Sequence, residues 1–177
     1  YSRNGKIFNN FAHIENALSK PEYNNIVFDG EVMSDDFQAL MKQVYRKSGA
    51  NTEDAYLALF DMLPLKEFNE GRSKLNSLER KQELNKLSKT FGSEIKLVDY
   101  EIINFDNEQG QEKFSDMKKE SLEKGFEGLM IKPNNNYYEC MRSHAWLKIK
   151  PFIEVTLKVI DIQEGTGKHE GKLGAFS

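Results

Sequence analysis

The chain has 177 residues, enough for one domain with part of a second. Its 25 Lys and Arg against 28 Asp and Glu give a net charge of −3, and its hydrophobic content is 38%, which together exclude intrinsic disorder and nucleic-acid binding through bulk charge. One cysteine, Cys140, excludes an internal disulfide, the scattered His13, His144 and His169 give no His/Cys metal pattern, and no apolar run approaches the ~18 to 20 residues of a bilayer span. A reducing cytoplasm is the expected setting. The opening YSRNGKIFNN lacks the apolar block of a signal peptide.

Along the chain, residues 26–32 read as the first strand, rich in β-branched and aromatic side chains. A helix is expected over 35–47, where Phe37, Leu40, Met41, Val44 and Tyr45 repeat at helical spacing behind Ser34 as N-cap, a core-facing stripe. Residues 56–62 read as the second strand. A second helix follows Asn76, whose spacing to Glu79 suits a capping box, and it presents Leu84, Leu87 and Phe91 before Gly92. A strand is expected over 95–103 and a third helix over 111–124, stopped by Gly125. Two more strands are expected over 126–132 and 145–150. The mixture is α+β.

After Pro151 the pattern changes. Ile153, Val155, Leu157 and Val159 alternate, Ile160 and Ile162 shift that alternation by one, and a glycine-rich loop follows. Gly167 and Gly171 enclose only three residues and Leu173 follows Lys172, so this loop is a turn and not a P-loop. The expected division is therefore 1–151 for one domain and 152–177 for the beginning of an all-β second one.

Charge is uneven along the chain. Residues 51–131 are acidic, whereas 132–150 carry Lys132, Arg142, Lys148 and Lys150 against Glu139 alone. Side chains two apart on a strand share a face, so Asp29 and Glu31 point together, as do Lys148 and Lys150, with Leu147 and Ile149 towards the core. The lysines suit polyphosphate, the acids suit a hard cation such as Mg²⁺ or a pair of ribose hydroxyls, and Phe60 at a strand end suits stacking on a base.

Five runs in order, Ser2-Arg3-Asn4-Gly5, Asp29-Gly30-Glu31, the strand YLALFDML starting at Tyr56, Glu127-Gly128-Leu129-Met130-Ile131-Lys132 and Trp146-Leu147-Lys148-Ile149-Lys150, resemble the nucleotidyltransferase domain of ATP-dependent DNA ligases of the small bacteriophage type. Arg142-Ser143 before the tryptophan extends the resemblance. It implies an antiparallel-sheet, ATP-grasp-like ligase domain followed by the start of an OB-fold. The implied chemistry is adenylyl transfer from ATP through lysyl-AMP and DNA-adenylate, with Mg²⁺ or Mn²⁺, sealing nicks in duplex DNA as a monomer. By the same resemblance Arg3 contacts the nucleotide sugar or nick phosphate, Glu31 the ribose or a metal, and Phe60 the adenine. Glu127 holds the metal, while Lys132, Lys148 and Lys150 contact the α-phosphate.

One departure stands out. The family nucleophile sits in Lys-x-Asp-Gly, and no such run occurs in this sequence. The expectation is a truncated core, or a separate N-terminal segment that supplies the lysine. A messenger-RNA capping guanylyltransferase or an RNA ligase would share these strands and lysines, and a non-catalytic nucleotide- or nick-binding module would fit the absent nucleophile.

Overall fold

The computed structural model describes residues 1–2, 4–151 and 154–177, and the Phe37 side chain also lies outside the described part. In chain order the elements are α1 (Ala12–Leu18), β1 (Ile26–Met33), α2 (Phe37–Val44), β2 (Tyr56–Pro64), α3 (Leu65–Glu70), β3 (Arg72–Asn76) and α4 (Ser77–Leu87). They continue with β4 (Ile95–Leu97), α5 (Glu108–Glu123), β5 (Leu129–Ile131), β6 (Tyr137–Glu139), β7 (Leu147–Ile149), β8 (Ile162–Glu164) and β9 (Leu173–Phe176).

The architecture is α+β with several small sheets. β1 and β2 pair antiparallel, and β4 joins the other edge of β2 in parallel. The expectation of an antiparallel sheet is corrected at that edge: the connection from β2 to β4 runs through two helices, long enough for a crossover. β3 pairs with β6, β5 with β7 and β8 with β9, all antiparallel.

The β1–β2 ladder contains the feature that builds the site. Asp29 lies opposite Asp61, but Gly30 lies opposite Leu59, so Phe60 is an extra residue in β2. The bulge switches the parity of the strand. Leu57 and Leu59 pack on the main core before it and Met62 after it, which frees Asp61 to share the opposite face with Phe60. Gly30 is needed here, because a Cβ would stand 2.8 Å from the Ala58 carbonyl oxygen across the ladder.

The core gathers Phe11 and Ile14 of the α1 region, Leu40 and Val44 of α2, Leu59 and Met62 of β2, Leu84 of α4 and Ile95 of β4. Each such side chain contributes about 1.5 to 3 kcal/mol through burial. α4 starts in the expected capping box, the Asn76 side chain accepting from the Glu79 amide and the Glu79 carboxylate from the Asn76 amide. α5 is capped by Asn107 and begins at Glu108, three residues before the expected start.

Other expectations shift. Asp36, not Ser34, caps α2, accepting from the Ala39 amide, and among the described side chains of α2 and its C-cap Leu40 and Val44 are buried whereas Met41 and Tyr45 are exposed. The strand expected over 95–103 stops at Leu97, since β4 pairs only with the three residues Leu57 to Leu59. The strands expected over 126–132 and 145–150 contract to β5 and β7, and Leu147, expected in the core, is 52% exposed on this two-stranded ladder. After Pro151, Ile153 lies outside the described residues, and 154–161 form no strand among the described residues; only the β8–β9 hairpin forms. No helix among the described residues is long and apolar enough to cross a membrane.

Candidate active site

The two groups of polar side chains sit on facing elements. On the β5–β7 ladder, Met130 lies opposite Lys148, and continuing the alternation one residue past each strand puts Lys132, after β5, and Lys150, after β7, on that same face. Glu127 joins them: its carboxylate accepts a hydrogen bond from the Lys148 ammonium and lies 3.1 Å from Lys150 Nζ. Those two lysines hold the Glu127 carboxyl well below its ordinary range, at about 2. In return the Glu127 bond raises Lys148, with Glu31 adding to the effect from β1. Gly128 makes the arrangement possible. It has φ +137°, and a Cβ would collide with the Ile149 carbonyl, so only glycine lets Glu127 approach the lysine strand this closely.

Lys132 lies in a different environment. Its side chain is 14% exposed, its ammonium stands 3.5 Å from the Trp146 ring centroid and 4.8 Å from that of Phe60, and Asp61 Oδ2 is 3.6 Å away. No acceptor comes within hydrogen-bond distance of Nζ among the described residues. Burial lowers its pKa to about 8 against the opposing attraction of Asp61.

Behind this cation is a buried network that the sequence analysis did not assign. Arg80 of α4 is 1% exposed and grips Asp61 with two bonds, Nε to Oδ1 at 2.7 Å and Nη2 to Oδ2 at 3.1 Å, while Nη1 donates to the Leu75 carbonyl. Tyr138 of β6 donates to Asp29 Oδ2 at 2.7 Å and meets Trp146 edge-on at 5.3 Å. Burial raises the Asp29 carboxyl, and the Tyr138 bond opposes that rise. One signal for Arg80 was available: Ser77, Arg80, Leu84 and Leu87 fall at helical spacing, which puts an arginine in the stripe that α4 buries.

Of the residues expected at the site, Glu127, Lys148 and Lys150 are in contact, Glu31 lies within electrostatic reach of Lys148, and Lys132 meets Phe60. Arg3 lies outside the described residues.

A family model described as the ATP dependent DNA ligase domain matches residues 1–150. The chain belongs to the ATP-dependent DNA ligase domain family. A DNA ligase of Methanothrix thermoacetophila is 30% identical over 148 residues, 79% of this chain and 24% of that protein. DNA ligase 2 of Methanosarcina acetivorans is 29% identical over 168 residues, 85% of this chain and 28% of that protein. The chain thus spans about a quarter of the length of these curated relatives. Among solved structures, one named Pmar-Lig_PreS3 is 47% identical with a TM-score of 0.85, covering 99% of this chain and 43% of its own. The ATP complex of the bacteriophage T7 ligase, 18% identical with a TM-score of 0.56 over 92% of this chain and 59% of its own, shares the fold.

ATP-dependent DNA ligases use ATP, typically with a divalent metal. Among the described residues of this ligase domain no three His, Cys, Asp or Glu side chains gather into a cluster. Mg²⁺ needs none, because one or two carboxylates complete its shell together with waters and substrate phosphates. Glu127 fits that requirement as an exposed, fully ionised carboxylate whose lysine partners could turn to phosphate instead.

Lys132 gives the ligase domain a testable pH response. If its cation attracts nucleotide phosphate, ATP affinity is expected to fall several-fold as pH rises through about 8 towards 9.5, and to lose that dependence in Lys132→Met. Stability is expected to move the other way. Between about 8 and 10.5 the unfolded chain binds more protons at this lysine than the folded one, so the fold gains stability as pH rises, and Lys81, also lowered by burial, adds to that gain. Calorimetric titration and thermal unfolding across pH 7 to 9.5 read the two opposite slopes.

Proposed function

We propose that this domain carries adenylyl transfer in the sealing of 5′-phosphate/3′-hydroxyl nicks in duplex DNA. The observation that carries the reading is the pairing of Lys148 and Lys150 on one strand face with Glu127, beside the Phe60 ring and the Lys132 ammonium. Adenine stacks on Phe60, Glu31 takes the ribose hydroxyls or shares the metal, and the α-phosphate lies against Lys148 and Lys150, with Lys132 behind it. Arg3 reaches the nucleotide sugar or the nick phosphate.

Glu127 has two roles in this reading. Before nucleotide arrives it is the counter-ion of both lysines; once phosphate takes its place, the carboxylate is available to a divalent metal. That metal, Mg²⁺ or Mn²⁺, neutralises charge on the phosphate oxygens when bound. The lysines supply the rest: their fixed positive charge favours the crowded phosphorane-like geometry over the ground state.

The steps balance as three displacements at phosphorus. A lysine nitrogen bonds to the α-phosphorus of ATP as the bond to the leaving pyrophosphate breaks. A 5′-phosphate oxygen of the nick then displaces that lysine. The 3′-hydroxyl oxygen finally displaces AMP and loses its proton to solvent. The family places the nucleophile in Lys-x-Asp-Gly, so we assign it to a segment other than these 177 residues. Residues 1–151 form the nucleotidyltransferase domain in this reading, and 152–177, with the β8–β9 hairpin, begin the OB-fold of a monomeric cytoplasmic enzyme.

Phe60→Ala tests the base-binding end. The expected result is a loss of roughly tenfold in ATP affinity, as for one base stack worth about 1 to 3 kcal/mol, with nick sealing by the full-length protein recovering at high ATP. Unchanged ATP affinity would remove Phe60 from the site. A full-length protein that preferred GTP, or sealed no nick with ATP and Mg²⁺, would overturn the function itself.

A further inference from the structure

We infer that Tyr138 is a positioning residue for adenylyl transfer, tying together the walls from which the nucleotide-binding side chains project. The inference rests on the proposed function and assigns a role to a residue that the motifs leave out.

Tyr138 touches each wall. Its hydroxyl donates to Asp29 at 2.7 Å on β1, two residues before Glu31. Its ring meets Trp146 edge-on, with centroids 5.3 Å apart and planes at 84°, and Trp146 precedes Lys148 by two residues. The Arg80 guanidinium carbon lies 5.6 Å from the ring centroid, and Arg80 in turn fixes Asp61 beside Phe60. The same Trp146 ring carries the Lys132 ammonium at 3.5 Å. One side chain therefore contacts the strand of Glu31, the approach to the lysine strand and the clamp beside the stacking ring.

The ladders leave this task to side chains. β1 and β2 belong to one sheet and β5 and β7 to another, so no backbone hydrogen bond of either ladder sets the distance between the faces that would enclose a nucleotide. β6 is anchored through β3, with Tyr137 opposite Asn76 and Glu139 opposite Arg72. Alternation turns Tyr138 to the face away from Tyr137 and into the gap. Transfer is sensitive to small errors in such a distance, because a displacement of about 1 Å can cost up to a hundredfold in rate. Simple packing would need only the ring, whereas setting the gap needs the hydroxyl.

Tyr138→Phe separates the two by removing one oxygen. In the full-length protein the rate of AMP transfer to nicked DNA at saturating ATP is expected to fall ~10- to 100-fold. ATP affinity should stay within about twofold and the thermal midpoint within a few degrees. Asp29→Ala, which leaves the hydroxyl without its acceptor, should lower the rate similarly, and the double variant should be no slower than the slower single one. A Tyr138→Phe rate within twofold of the parent, equal losses in rate and affinity, or losses that multiply in the double variant would each overturn the inference while leaving the function in place. A parent protein that transfers no AMP would overturn both.

Discussion

Lys150→Ala in the full-length protein is expected to lower AMP transfer by roughly 10² to 10³ while weakening ATP binding less than tenfold. The asymmetry follows from the geometry at Glu127. In the free protein that carboxylate is shared by Lys148, through a hydrogen bond, and Lys150 at 3.1 Å, so losing one lysine leaves a single satisfied ion pair. In the proposed function, ground-state binding keeps Lys148, Lys132 and the Phe60 stack. What disappears is the second cation beside the phosphate as charge builds during displacement, and that term acts on the transition state. Single-turnover transfer alongside equilibrium ATP titration reads the split; equal losses in both would mean that Lys150 binds without favouring transfer. Lys150→Arg is expected to recover only part of the rate, because a planar guanidinium replaces a point charge with rotatable donors.

The largest effect on stability is expected from Arg80→Met. Asp61 is 2% exposed, and its other side-chain cation is Lys132 at 3.6 Å, beyond hydrogen-bond distance. Removing the guanidinium strands a carboxylate in the interior and leaves the Leu75 carbonyl without its Arg80 donor. Breaking a buried pair on one side costs about 3 to 5 kcal/mol. For a chain of this length that corresponds to roughly a 10 °C fall in thermal midpoint. Arg80→Met with Asp61→Leu should recover much of the loss in urea unfolding, since two apolar side chains carry no unpaired charge. A single variant as stable as the parent would show that the pair is solvated in a way its burial does not indicate.

Local signals in the sequence were the ones that held. Asn76 and Glu79 are three residues apart, and the capping box they form is a matter of backbone geometry within one turn. Lys148 and Lys150 share a face because a strand alternates, and that would be true wherever the strand packed. The network behind Lys132 had no such local signature. Tyr138 finds Asp29 across 109 positions of sequence, from a three-residue strand preceded by asparagines and recruited by β3. β4 ends early for the same kind of reason: its parallel pairing stops at Leu59, where the bulge at Phe60 interrupts β2, and nothing within residues 95–103 signals that. The bulge in β2 was hidden because YLALFDML is apolar on both parities, so alternation alone could not show where the strand changes face.

That bulge also separates heredity of fold from heredity of chemistry. Leu59 and Met62 already stand on the core side at their own positions, and a ladder running from Leu59 directly to Asp61 would leave both there with Asp61 still turned to Arg80. Phe60 is the one residue of the strand that the hydrogen-bonded register does not count. A lineage could therefore exchange this ring, and with it the flat surface that the proposed function offers to a base, without renegotiating the ladder register of its neighbours. Under that proposal, the position best placed to alter which nucleotide is accepted is the one whose alteration disturbs the sheet least.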